Sequence, residues 1–133
     1  AAPRAAIDGV LVCPLVTGGI ETVVGVADDP VFGPTVLFGL GGVFVEVLGD
    51  VTFRVPPFDR AEARRMVQEI AGFPLLAGAR GHPRADLGAL VDVLLRVQRL
   101  AVDHAGTLAE LDVNPLLVLP RGAVALDALV VTR

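Results

Sequence analysis

The sequence predicts an α+β domain, a mostly antiparallel sheet with two main helices packed on one side. Three observations lead there. Short runs rich in Val, Leu and Phe, punctuated by Gly and Pro, fill the first third of the chain. Two helix-patterned stretches follow, opened by Asp59 and Asp86. An acidic strand around Glu110 then turns back through Pro120-Arg121-Gly122. Strands grouped on either side of helices, without regular βαβ alternation, are the mark of this class.

Ala1 to Ala6 is a featureless start with no initiating Met, expected of a piece cut from a longer polypeptide. Val10 to Val16 reads as a first strand, in which Pro14 implies an edge or a bulge. Cys13 lies in that apolar pattern and is expected to be an inert core residue. Gly18-Gly19 turns the chain and Glu21 to Ala27 returns, making a hairpin. Asp28 to Pro34 reads as an irregular acidic connection, followed by a strand over Thr35 to Phe38. After Gly39-Leu40-Gly41-Gly42, alternation resumes over Val43 to Val47 and sets Glu46 beside Phe44 and Leu48. These glycines have two readings: an anion nest of backbone N–H groups, or tight turning between strands. Neither a Lys-Ser/Thr pair nor a helix follows, so the run is not a Walker A loop or a Rossmann fingerprint. Val51 to Val55 is a further strand, closed by Pro56-Pro57.

Asp59 and Glu62 have capping-box spacing, and Ala63, Met66, Val67 and Ile70 recur at helical intervals. They predict a helix from about Arg60 to Ala71, stopped by Gly72 and Pro74. Leu75 to Pro83 reads as a loop. In it, Arg80 either reaches an anion with its planar fork or is an ordinary surface arginine. His82 has no acidic or cysteine partner at a recognisable spacing. Asp86 caps a second helix to about Asp103, apolar along Leu87, Leu90, Val91, Leu94, Val97 and Ala101 and widened by Val93, Leu95 and Leu100. A helix apolar over so much of its circumference is sandwiched. His104 lies in its last turn, where imidazole interacts well with the helix dipole.

The last element carries the chemistry. Alternation puts Glu110, Asp112 and Asn114 on one face of a strand and Leu111 and Val113 on the other. With Leu116 to Leu119 as strand, Pro120 to Ala123 as turn and Val124 to Val131 returning, Leu116 is expected to face Asp127, and Asn114 to face Leu129. Asp127 is then the diagonal neighbour of Asn114, about 7–8 Å away. Such oxygen donors suit Mg²⁺, which takes one or two carboxylates and fills its shell with water and substrate phosphates. The competing reading is a plain solvated face.

At 133 residues the chain fits one domain over 1–133. Although 53% of it is hydrophobic, the longest uncharged run, Pro30 to Val45, is too short and too broken by Pro34 and glycines to span a membrane. No signal peptide is recognisable, and a cytoplasmic location is the default expectation. The net charge of −4 and scattered arginines argue against nucleic acid as a partner. No lysine is present, so no amine is available to clamp a phosphate or form a Schiff base.

Asp29-Pro30-Val31-Phe32-Gly33-Pro34, Phe38 to Gly42 with Glu46 and Asp50, Leu76 to Gly81, and Glu110-Leu111-Asp112-Val113-Asn114-Pro115-Leu116 with Asp127-Ala128 resemble the NDP-forming acyl-CoA synthetases. The acidic strand more distantly resembles the nucleotide-binding subunit of succinyl-CoA synthetase. The resemblance covers nearly the whole chain, in order. It implies the C-terminal lobe of an ATP-grasp domain within a longer multidomain protein. There, acyl-CoA, phosphate and ADP interconvert with acid, CoA and ATP, and a histidine of another domain carries the phosphoryl group. Carried over by position, Asp112, Asn114 and Asp127 hold Mg²⁺ against the phosphates of ATP or ADP, with Gly39, Gly41 and Gly42 near the phosphates and Glu21 and Glu46 near the nucleotide cleft. The implied partners are the other ATP-grasp lobe and the CoA-binding and phosphohistidine domains. Neither His82 nor His104 lies in a phosphohistidine context, and the isolated lobe is expected not to turn over. Two other readings stand beside this one: a degenerate ATP-grasp regulatory module fused to a protein acetyltransferase, and a structural lobe that forms a homodimer through exposed apolar surface.

Overall fold

A computed structural model of the chain describes residues 8–42, 49–81 and 83–133. Its elements are β1 (Ile20–Asp29), β2 (Gly33–Leu40), β3 (Val51–Arg54), α1 (Arg60–Glu69), a single helical turn α2 (Phe73–Leu76), α3 (Leu87–Asp103), β4 (Leu108–Val118), β5 (Ala123–Ala125) and β6 (Leu129–Thr132). The strands form one sheet in the order β3-β2-β1-β4-β5, with β6 also pairing β4. All of these pairings are antiparallel.

Alternation decides which side of the sheet is covered. Val24 and Val26 of β1, Phe38 and Leu40 of β2, and Leu111, Val113, Leu116 and Val118 of β4 join Met66 and Val67 of α1 and Leu90, Val91, Leu94 and Val97 of α3 in one buried cluster. The other face of β4 carries Glu110, Asp112 and Asn114, half-buried or exposed. The two main helices therefore lie on one side, as the sequence predicts, and the acidic row lies on the other. Among the described residues, no helix is long and apolar enough to cross a membrane.

Three expectations are corrected. Val10 to Val16 is not a strand. Its Val10, Leu11 and Leu15 are 87–90% exposed, and Cys13 is exposed instead of buried in a core. Residue pattern gives a strand only where a partner supplies the ladder, and none pairs with this segment among the described residues. The first hairpin is instead β1–β2, with Asp29 paired to Gly33. The acidic connection is its turn: the Asp29 carboxylate accepts the Val31 and Phe32 N–H groups at 2.8 and 2.9 Å, and these bonds hold its pKa below the ordinary value. The loop after α1 is also partly helical, because Pro74 falls in the first turn of α2, where its missing N–H costs nothing.

Both predicted caps are present. Asp59 Oδ1 accepts from Glu62 N–H at 2.8 Å, and Asp86 Oδ1 accepts from Ala89 N–H at 3.0 Å. Asp86 does more. Its Oδ2 accepts the Gly122 N–H at 2.9 Å, and its own N–H donates to the Leu119 carbonyl at 2.8 Å. One residue thus ties the start of α3 to the β4–β5 turn.

The Gly122 N–H, then that of Ala89, lowers the Asp86 pKa below its ordinary 3.8. Because the native value is the lower one, the stabilisation is present above the unfolded pKa and is lost as pH falls through the native value. Asp86→Ala should therefore lower the urea midpoint at pH 7. The gap to wild type should narrow as pH falls below about 4, and a gap independent of pH would contradict this reading.

Candidate functional site

The acidic row occupies the middle of the strand with partners on both sides. Asp112 is flanked by Gly25 of β1 and Leu129 of β6, and Glu110 by Ala27 and Val131. Gly25 leaves the space beside Asp112 open. A Cβ there would lie 3.2 Å from the Leu111 carbonyl oxygen. The result is a shallow concavity of 460 Å³ whose lining includes Leu37 and Phe53 on one side and Glu110, Asp112 and Asn114 on the other.

Asn114 is placed by a feature that the sequence reasoning missed. Thr22 pairs with Leu116 but Val24 pairs with Val113, so Val23 alone opposes both Asn114 and Pro115. This is a β-bulge in β4, a device that re-aims side chains beside functional sites. The Asn114-Pro115 peptide is cis. The available signal was Pro115 itself, since a proline within a central strand marks a bulge.

The register of the returning strand is also corrected. Leu116 pairs with Ala125, where Asp127 was expected, and Asp112 pairs with Leu129. The slip is by two residues, because Leu119 N–H donates to the Gly122 carbonyl at 3.0 Å and closes the turn around Pro120 and Arg121. Gly122 adopts a φ of 83°, which favours glycine. A shift of one residue would have turned every side chain over, whereas a shift of two preserves the faces. Asn114 and Asp127 become direct opposites in place of diagonal neighbours: the Asn114 N–H donates to the Asp127 carbonyl at 3.3 Å, and Leu126 N–H donates to that of Pro115 at 3.0 Å. Opposed residues have Cα atoms about 4.5–5.5 Å apart. Asp127 is exposed, and its Oδ1 accepts from Ala128 N–H at 2.8 Å.

Asp112 and Asn114 line the shallow concavity, and the Asn114–Asp127 backbone bond sets Asp127 across from Asn114; the three side chains carry two carboxylates and an amide oxygen, all hard donors. Among the described residues, no three His, Cys, Asp or Glu side chains gather into a metal-binding group. Mg²⁺ keeps several waters and shares phosphate oxygens, so it asks the protein for only one or two carboxylates.

Glu21 lies further along the same face, on β1 opposite Leu117. Gly41 N–H donates to its carbonyl at 2.8 Å, and a Cβ on Gly41 would lie 3.0 Å from Glu21 Cβ. Gly42 turns with φ of 64° next to the Glu21 carboxylate. Gly39 sits within β2 between Val23 and Val51, and a Cβ there would lie 2.8 Å from the Asp50 carbonyl oxygen. Close backbone approach therefore accounts for Gly39 and Gly41, and a left-handed turn for Gly42. Glu46 and His82 lie outside the described residues. Arg80 belongs to a 3-10 turn, Ala79–Gly81, of which only the backbone is described at that residue. His104 is the C-cap of α3.

A cavity of 610 Å³ lies elsewhere, between α1, the first turn of α3 and Pro120, with Arg64 and Arg84 in its lining. None of the predicted site residues among the described ones lines it.

A family model described as an ATP-grasp domain matches residues 1–132. The chain belongs to the ATP-grasp family. It is 47% identical over 133 residues to the beta subunit of ADP-forming acetate–CoA ligase II of Pyrococcus furiosus, an alignment covering 98% of this chain and 56% of that protein. The chain thus spans little more than half the length of that relative. Two solved structures of a dinucleotide-forming acetyl-coenzyme A synthetase 1 from Ca. Korarchaeum cryptofilum are 42% identical to it. One, in complex with coenzyme A and Mg-AMPPCP and with its phosphohistidine segment pointing towards the nucleotide binding site, matches with a TM-score of 0.85 over 89% of this chain and 55% of that one. The other, with coenzyme A, Ca-AMPCP and HgCl⁺, matches with a TM-score of 0.91 over 99% of this chain and 57% of that one. The ATP-grasp fold and the α+β layout read from the sequence therefore agree.

The Gly41 environment gives a direct test of the glycine assignment. Gly41→Ala should destabilise the chain by about 1–3 kcal/mol through overpacking against Glu21, measured by urea unfolding. A wild-type midpoint would mean that the loop has room to yield.

Proposed function

We propose that this chain is the nucleotide- and Mg²⁺-binding C-terminal lobe of an NDP-forming acyl-CoA synthetase. In that reading it couples formation or cleavage of an acyl-CoA thioester to ATP and ADP, through a phosphohistidine carried by another domain. What supports the reading is that Asp112 and Asn114 line one concavity of the sheet face opposite the helix-packed core, with Asp127 set across from Asn114 by a backbone bond. The relatives named above supply the substrate class.

On this account Asp127 and Asn114 grip one cation from opposed strands, with Asp112 as the third oxygen of the row. Bound there, the cation neutralises charge that builds on a transferring phosphoryl group, the main demand of this chemistry. Glu21 and Gly42 stand at the end of the same face, where the turn lets backbone approach the nucleotide. The apolar residues of that face, Phe53 at 54% exposure and Leu129 at 56%, are to be covered by the nucleotide and by the second ATP-grasp lobe. Any lysine contact to the phosphates has to come from that lobe, because this chain has no lysine.

In the complete synthetase, Asn114→Ala and Asp127→Asn should each weaken Mg²⁺-dependent nucleotide binding and phosphoryl transfer by about tenfold or more, the worth of a lost contact to a charged group. Their melting temperatures should stay close to that of wild type. Wild-type activity in both variants would retire the metal assignment.

A further inference from the structure

Thr22 is the one polar residue among the described residues that is wholly buried, with no solvent exposure. Its Oγ1 donates to the Leu116 carbonyl at 2.8 Å. The position of this bond is what matters. Thr22 is the last residue of β1 in register with β4 before the bulge, and Leu116 follows Asn114-Pro115 directly. The ladder is interrupted there, so the backbone of the bulge lacks the regular pairing that fixes its neighbours. A side-chain hydroxyl supplies an additional tie from the core side, where burial makes an unmet carbonyl costly. On the opposite face, the same two bulged residues set the position of Asn114 against Asp127.

We infer that Thr22 is a positioning residue for the cation site: its hydroxyl holds the Leu116 carbonyl, and through the Asn114-Pro115 bulge it sets the Asn114 oxygen opposite Asp127. This rests on the proposed metal role of Asn114. Thr22 touches neither nucleotide nor cation; it lies under the sheet while they lie above it. A valine of the same shape could fill the space in the core but could not anchor the carbonyl. A serine could anchor it.

The test uses Mn²⁺ in place of Mg²⁺, followed by its electron paramagnetic resonance signal in the complete synthetase with ADP. Thr22→Val should raise the Mn²⁺ dissociation constant about three- to tenfold, the range set by one net hydrogen bond. Thr22→Ser should return it to within about twofold of wild type, even if serine packs less well and lowers the melting temperature. Thr22→Ala replaces the valine variant in the comparison if the latter fails to fold. Wild-type Mn²⁺ affinity in Thr22→Val, or no recovery in Thr22→Ser, would overturn the inference. Asn114→Ala separates the two levels. If it weakens Mn²⁺ binding while Thr22→Val does not, the positioning role falls and the metal site stands; if it leaves binding unchanged, both fall.

Discussion

The register of β4 is the constraint on which the rest of this molecule depends. β4 is paired on both sides, to β1 along one edge and to β5 and β6 along the other. Each pairing fixes a different property. The β1 side contains the bulge that presents Asn114, and the β5–β6 side decides which residue stands across from it. A hairpin closed one residue earlier or later would invert the returning strand and turn Asp127 away from Asn114. The short link between Leu119 and Gly122, held from outside by Asp86, excludes that outcome.

Asp86 therefore connects helix packing to site geometry. Its carboxylate caps α3 and accepts from Gly122, so the element that fills the core also sets the turn from which the functional strand returns. Other ties act at the opposite end of the sheet. Arg133 pairs with Asp28, its N–H donates to the Thr107 carbonyl at 2.9 Å, and a guanidinium nitrogen donates to the Ala105 carbonyl at 3.1 Å. The end of the chain after β6 is thereby fastened beside the end of β1. The open face between these fastenings is built on strands held at both ends, which is what a preorganised site requires.

Much of this was legible in the sequence because it follows from local rules. Asp59 and Asp86 announce both helices, and the α3 apolar stripe points to the core it fills. Alternation alone places Glu110, Asp112 and Asn114 on one face. The failures are non-local. Val10 to Val16 has strand composition, yet a strand exists only by pairing. The hairpin register depended on whether Gly122 lies inside the turn or just after it, a choice settled by a contact from Asp86, 36 positions away. The role of Thr22 could not be read at all, since its partner is 94 positions away. Family resemblance suggested the proposed function, and the residues supplied the geometry that function would use.

The most direct measurement is nuclear magnetic resonance of the labelled lobe within the complete synthetase, with Mn²⁺ and ADP added as a paramagnetic probe. Broadening should centre on Gly25, Asp112, Asn114 and Asp127 and fade toward α1 and α3. Broadening centred on the cavity beside Arg64 and Arg84, with the Asn114 and Asp127 signals unchanged, would contradict the account.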